Sequence, residues 1–217
     1  MSQHVWPFFD LVVRTPMLEL RVPQDDEIAE LVAQADNTIY ERNGFMPFHV
    51  DWTGDPVESM KYFWGTRSNW SPDNWTLTLV PFIEGEPLGN QAVLGVDFPL
   101  VRRVSTGSWL VSRAQGRGIG TEMRAAALHL AFAGLGALEA ESEAHVDNDA
   151  SNGVSRRLGY EITHRHGSRF GDERGEVYNL LLRKAAWEQH QRDDIEIVGL
   201  DRCLRYFSEA GPDADVG

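Results

Sequence analysis

Three glycines within five residues, in Gln115-Gly116-Arg117-Gly118-Ile119-Gly120-Thr121, constrain this chain more than any other stretch. The segment joins a strand-like run to a helix-like one. Upstream, Val104 to Val111 mixes β-branched and aromatic residues with small ones, whereas downstream Ile119, Met123, Ala126, Ala127 and Leu130 recur at helical spacing. Glycine lets a backbone come close to a ligand, and the first amides of a helix have no partners within it. A phosphate can therefore be bound here by backbone alone.

Three phosphate loops compete for this pattern. A Walker A loop needs Lys and then Ser or Thr after its last glycine, but Gly120 is followed by Thr121 and Glu122. The dinucleotide fingerprint needs a glycine at position 121 and opens an alternating parallel fold, whereas this loop lies mid-chain behind hairpin-like segments. The remaining pattern, Gln-x-x-Gly-x-Gly, resembles the acyl-CoA pyrophosphate loop of the GNAT superfamily of N-acyltransferases. About 30 residues further on, Asn148-Asp149-Ala150-Ser151-Asn152, followed by Leu158-Gly159-Tyr160, is similar to a signature of one GNAT branch. That branch contains the ribosomal-protein N-terminal acetyltransferases. The same segment reads locally as strand, cap and helix. Leu138, Ala140, Ser142 and Ala144 alternate with Glu139, Glu141 and Glu143, and Asn148 or Asp149 can cap a short helix ending at Gly159. The resemblance covers roughly Met17 to Lys184.

The resemblance implies an α/β (α+β) fold, with a mixed, mostly antiparallel sheet of about seven strands, splayed where coenzyme A (CoA) enters, and helices on both faces. It implies an enzyme, an acyl-CoA-dependent N-acyltransferase in which a primary amine attacks the thioester directly. Backbone from Gln115, Gly116, Arg117, Gly118, Ile119, Gly120 and Thr121 would hold the pyrophosphate. Trp109, Leu110 and Val111 would pair with the pantetheine amides as an added strand does. Asn148 would orient the pantetheine arm, Asn152 would lie near the cofactor, and Ser151 would donate a proton or hydrogen bond to the CoA sulfur; a capping serine is its plainer reading.

Many relatives place a Glu near the position of Ser105 or Thr106. Its absence leaves the general base open among Glu141, Glu143, His145 and a water relay. Trp6-Pro7-Phe8-Phe9-Asp10-Leu11, the strand Thr15-Pro16-Met17-Leu18-Glu19-Leu20, Met46-Pro47-Phe48 with Asp51-Trp52-Thr53, and Gly107-Ser108-Trp109-Leu110 further resemble a bacterial subgroup with a succinyl-CoA-using member. The donor is accordingly expected to be acetyl-CoA or succinyl-CoA. A second carboxylate in a closed acyl pocket would need a cation, for which Arg67 is a candidate. The alternatives are acetylation of a small amine such as an antibiotic or polyamine, and a non-catalytic acyl-CoA-binding sensor.

Composition narrows the partners. At 217 residues and 42% hydrophobic, the chain can build one substantial core and is expected to form a single GNAT domain over 1–217, with a C-terminal extension from about residue 188. A net charge of −13 argues against nucleic acid. CoA is itself an anion, so backbone dipoles and cations such as Arg113 and Arg117 must reverse the field at the loop. There is no apolar run of about 18 residues, and Met1 to Asp10 lacks a basic start, so no membrane partner and a cytoplasmic location are expected. Cys203 is the lone cysteine and the histidines are scattered, so no metal site is expected; His164 and His166 alternate on a strand and read as surface or substrate-side residues.

Along the chain, Met17 to Val22 reads as a strand and a helix begins near Asp25. Trp75 to Ile83 and Leu88 to Val96 read as a hairpin about Glu84-Gly85-Glu86-Pro87. Between them, Asn37 to Asn74 carries Tyr40, Phe45, Phe48, Trp52, Tyr62, Phe63, Trp64 and Trp70 in what the resemblance makes the variable acceptor region. Glu161 to His166 and Glu176 to Leu182 read as strands separated by a polar loop. The apolar run Ile195 to Leu200 should pair with a strand of its own chain or form a subunit interface, hence an expected homo-oligomer, and Gly211 to Gly217 should fray.

Overall fold

The computed structural model describes residues 4–35, 54–170 and 173–208. Tyr40, Phe45, Phe48, Trp52 and the Gly211 to Gly217 tail lie outside them. The framework is a ten-stranded sheet, larger than the seven strands expected, in the order β10-β1-β2-β3-β5-β6-β7-β9-β8 with β4 paired to β3. Its strands are β1 (Val12–Arg14), β2 (Glu19–Arg21), β3 (Asn74–Ile83), β4 (Glu86–Pro87), β5 (Gly89–Val96), β6 (Arg103–Leu110), β7 (Glu139–His145), β8 (Glu161–Phe170), β9 (Glu173–Arg183) and β10 (Glu196–Val198). The strand-paired neighbours are antiparallel except β6 and β7, which are parallel. The helices are α1 (Asp25–Gln34), α2 (Pro56–Ser68), the single turn α3 (Phe98–Val101), α4 (Ile119–His129), α5 (Asp149–Arg157) and the single turn α6 (Lys184–Trp187).

Local chemistry explains the boundaries. Pro23 ends β2's run, and α1 begins with three acidic residues at its positive end and a Gln24/Glu27 capping box. Glu84 and Gly85 both have positive φ, as a two-residue hairpin turn of the primed type requires. The stretch Gly167 to Gly175, expected as a loop, instead continues the β8–β9 ladder through Gly167↔Glu176 and Ser168↔Gly175. Polar and glycine-bearing residues do not stop a hairpin whose backbone partners remain in register.

Cross-strand partners share a face, which assigns each helix to a side. Ser108 pairs with Gln91 and faces α4, because Arg124 donates to its hydroxyl. Thr78, on the alternate register with Ala92 and Gly107, faces α2, where its hydroxyl lies 3.1 Å from that of Thr66. Helices α2 and α4 therefore cover opposite faces. On β7, Ala140, Ser142 and Ala144 are buried on the α4 side and Glu139, Glu141, Glu143 and His145 fall on the α2 side.

The C-terminal strand is satisfied within its own chain. β10 pairs with β1, and Ile197 and Leu200 pack so tightly on Gly134 that a Cβ there would approach Leu200 to 2.8 Å. Beyond it, Cys203 is buried, with burial pushing its thiol up to about 12, and Phe207 packs edge-on to Trp75. Trp70 stacks on Trp75 and donates its indole N–H to the Tyr206 carbonyl, so this tryptophan of the variable region packs against the core. Phe63 is buried in the core, whereas Trp64 is exposed.

Candidate functional site

The parallel pair β6–β7 holds only from Arg103↔Glu139 to Thr106↔Ser142. Past that rung β6 continues on β5 to Leu110 and β7 continues on β9 to His145, so the two strands part. Hydroxyls close the last rung: Ser142 donates to the Thr106 carbonyl at 3.1 Å and Thr106 donates to the Glu141 carbonyl at 3.2 Å. The gap opens into a cleft of about 930 Å³ floored by α4 and α5, a volume that suits a large ligand.

The glycine loop forms one end of the cleft. Gly116 and Gly118 have positive φ, and Gly118 caps α4 without a side-chain bond, so the backbone N–H groups of Gly118, Ile119 and Gly120 meet no acceptor among the described residues. A Cβ on Gly118 would enter open space; the residue is glycine for its left-handed backbone rather than for crowding by protein. Gln115 ties the loop to the strand by donating from Nε2 to the Leu110 carbonyl at 3.0 Å.

Of the expected contact residues, Trp109, Leu110, Gln115, Gly116, Gly118, Gly120, Thr121, Asn148 and Ser151 line the cleft together. Val111 and Ile119 lie in the core, and Arg117 is exposed at the loop. The three-residue strand edge expected at Trp109 to Val111 narrows to one residue. Val111 gives its N–H to the Leu88 carbonyl and the Trp109 carbonyl points at Gly89, which leaves Leu110 facing the gap. Arg113 is turned away to Glu86 and Gln34, and Arg67 binds Asp25 and the Pro23 carbonyl and does not line the cleft.

On α5, Asn148 rather than Ser151 is the cap: its Oδ1 accepts the Ser151 N–H at 3.0 Å. The Ser151 hydroxyl makes no hydrogen bond among the described residues and borders the cleft. Asn152 works elsewhere, donating to the carbonyls of His145 and Val146 and so fixing the turn between β7 and α5.

On the α2 side, Glu141 pairs with Arg103 at 3.1 Å, and Glu143 accepts from Asn179 Nδ2 at 2.7 Å. Asn179 Oδ1 is left buried with no donor among the described residues. On the α4 side lies a residue that helical spacing alone did not single out. Arg124 is 4% exposed, donates to Ser155 and Ser108, and has no carboxylate partner among the described residues. Burial pushes its pKa down, against the smaller opposite effect of Tyr160. The signal was present in the sequence, because Arg124 interrupts the otherwise apolar run from Met123 to Leu128.

Among the described residues no helix is long and apolar enough to cross a membrane, and no cluster of metal-ligating side chains occurs. The family model "Acetyltransferase (GNAT) domain" matches residues 17–161. Among solved structures, the chain is similar to RimJ of Mycobacterium smegmatis in complex with CoA-disulfide, at 17% identity and TM-score 0.69, covering 91% of this chain and 95% of that one. It is similar to an acetyl transferase of Salmonella typhimurium that modifies the N-terminal serine of a 50S ribosomal subunit protein, at 19% identity and TM-score 0.63, covering 78% and 96%. A RimL ribosomal-protein α-N-acetyltransferase matches at 20% identity and TM-score 0.66, covering 79% and 93%.

Proposed function

Because the chain belongs to the GNAT acetyltransferase family, we propose that it moves an acetyl or succinyl group from CoA to a primary amine, with a peptide N-terminus as acceptor. The observation that carries this reading is the cleft at the parted strands β6 and β7, bordered by both the glycine loop and Ser151. The pyrophosphate lies on the free amides that open α4, and the pantetheine arm runs along the Leu110 edge towards the gap. The acceptor enters from the α2 side, where Glu141 and Glu143 favour a cationic amine. The ribosomal-protein acceptors named for the similar structures support a peptide amine over a small one.

In the reaction, the neutral amine nitrogen bonds to the thioester carbonyl carbon, and the C–S bond then breaks with its electron pair passing to sulfur. The amine proton leaves through a carboxylate or water, and the sulfur ends as a thiol, giving amide and free CoA. Ser151 stands ready to donate to the sulfur. For a succinyl donor, Arg67 is occupied by Asp25, and the arginines lining the cleft are Arg124 and Arg157.

Mass spectrometry of the CoA species that co-purifies, followed by a panel of peptides and small amines with acetyl-CoA and succinyl-CoA, tests the reading. Transfer to peptide N-termini is expected. Binding of CoA without transfer to any amine would instead favour a sensor, and transfer confined to small amines would move the acceptor class.

A further inference from the structure

Arg124 is held in an unusual setting for an interior cation. Its Nη1 donates to Ser155 Oγ at 3.1 Å and its Nη2 to Ser108 Oγ at 2.8 Å, while the buried Nε–H has no acceptor among the described residues. Guanidinium groups inside proteins ordinarily meet a carboxylate that offsets the loss of water. Here two neutral hydroxyls take that place, and the side chain borders the cleft at the height where β6 and β7 have parted. A positive charge kept in a low-dielectric wall without an internal anion is strongest towards whatever anion forms beside it.

Under the acyl-CoA reading, on which this inference rests, the pantetheine arm and the thioester are neutral, and negative charge arises in the gap as sulfur departs. We infer that Arg124 supplies the positive field that stabilises the CoA thiolate while the C–S bond breaks. The electron pair of that bond passes to sulfur, the new C–N bond completes the amide, and the proton released by the amine is balanced by protonation of the thiolate. Ser155 links Arg124 to the same helical turn as Ser151, because its hydroxyl donates to the Ser151 carbonyl at 3.1 Å. Cation and hydroxyl donor therefore share one support, and a lower thiolate energy reduces the demand on a general acid.

The other ionisable groups facing the gap are Glu141, Glu143 and His145 from β7 and Arg157 from α5, with the buried Tyr160 phenol beside Arg124. The carboxylates raise the energy of a thiolate and Arg157 lowers it, so a difference between variants at position 124 isolates the one contribution.

The test uses the full chain, as parent, Arg124→Met and Arg124→Lys. Calorimetry gives CoA affinity, and the ultraviolet absorbance of the thiolate gives the pKa of the bound thiol. The parent is expected to hold that thiol at least about one unit below free CoA, with the shift lost in Arg124→Met and largely kept in Arg124→Lys. Acyl transfer by Arg124→Met should fall about 100-fold at similar CoA affinity. A merely structural arginine would leave the bound thiol equal in all three, which overturns the inference. Should Arg124→Met not fold, a parent whose bound thiol matches free CoA still overturns it. Failure of the parent to bind CoA would defeat the acyl-CoA reading itself, whereas binding with an unshifted thiol defeats only the role of Arg124. A strong preference for succinyl-CoA that vanishes in Arg124→Met would also overturn it, because the cation would then serve the acyl carboxylate.

Discussion

The two walls of the gap between β6 and β7 are chemically opposite although they belong to one sheet. On the α4 side stand a buried cation and the hydroxyls of Ser108, Ser151 and Ser155, with Arg124 bonded to two of them. On the α2 side stand Glu141 and Glu143, with Asn179 offering a buried and unfilled acceptor. Strand alternation sets the acidic side, since successive residues of β7 point to opposite faces, while Arg124 of α4, Ser108 of β6 and Ser151 and Ser155 of α5 supply the other. The pattern Ala140, Ser142, Ala144 against Glu139, Glu141, Glu143 thus does more than bury one side of a strand. It places Glu141 and Glu143 on the side of the gap away from Arg124, so that under the proposed reaction one wall suits a departing anion and the other an arriving cation.

The comparison breaks most readily at Ser151. Its hydroxyl has no partner among the described residues and does not cap α5, so removing it should leave the helix intact. Ser151→Ala is expected to lower turnover by about one to three orders of magnitude with nearly unchanged CoA affinity, because the donor acts mainly as sulfur becomes negative. Stopped-time assays beside calorimetry check this; parent-like turnover would remove Ser151 from the anion wall.

The opposite wall gives a smaller effect. Glu143→Gln keeps the shape but removes the charge that the Asn179 amide steadies at 2.7 Å. The acceptor KM should rise about tenfold while CoA affinity holds, as expected for loss of a hydrogen bond to a charged group. An unchanged KM for every peptide tested would mean that the amine enters elsewhere.

Much of this arrangement was legible before the structure. The glycine turn between strand and helix, the helical run from Ile119 and a cap at Asn148 or Asp149, which the structure assigns to Asn148, each follow from chemistry within a few residues. What escaped depends on partners remote in sequence. Arg124 stands out in sequence only as a charge within the apolar run from Met123 to Leu128; its enclosure by Ser108 of β6 and Ser155 of α5 depends on segments remote from it. Ile195 to Leu200 read correctly as a strand, yet nothing near it in sequence names β1 as its partner. Trp70 packs as aromatics of such a region ordinarily do, yet its partner, the Tyr206 carbonyl, lies 136 residues away and nothing near it in sequence names it. Local propensity fixes where elements begin; the packing of distant segments decides which side chains they enclose.

The C-terminal extension reaches the same loop and yields the smallest expected effect. Arg192 donates to both oxygens of Glu122, at 2.6 and 3.0 Å, and also to Asp194. The hydrogen bonds that Arg192 donates to Asp194 first, and then to Glu122, raise the pKa of this guanidinium, so the clamp stays charged. Glu122 sits in the first turn of α4, where its carboxylate and a bound pyrophosphate would compete for the same positive helix end. Arg192 offsets that carboxylate. In Arg192→Gln, CoA affinity should therefore fall about threefold at low salt and less at high salt, and the added change Glu122→Gln should restore it. His129 supplies an independent readout. Burial first, and then the positive charge of Arg192, hold its pKa below the usual imidazole value, so Arg192→Gln should raise it in an NMR titration. A double variant as weak as Arg192→Gln alone, with His129 shifted as expected, would mean that the extension supports the loop by packing and not by cancelling the charge of Glu122.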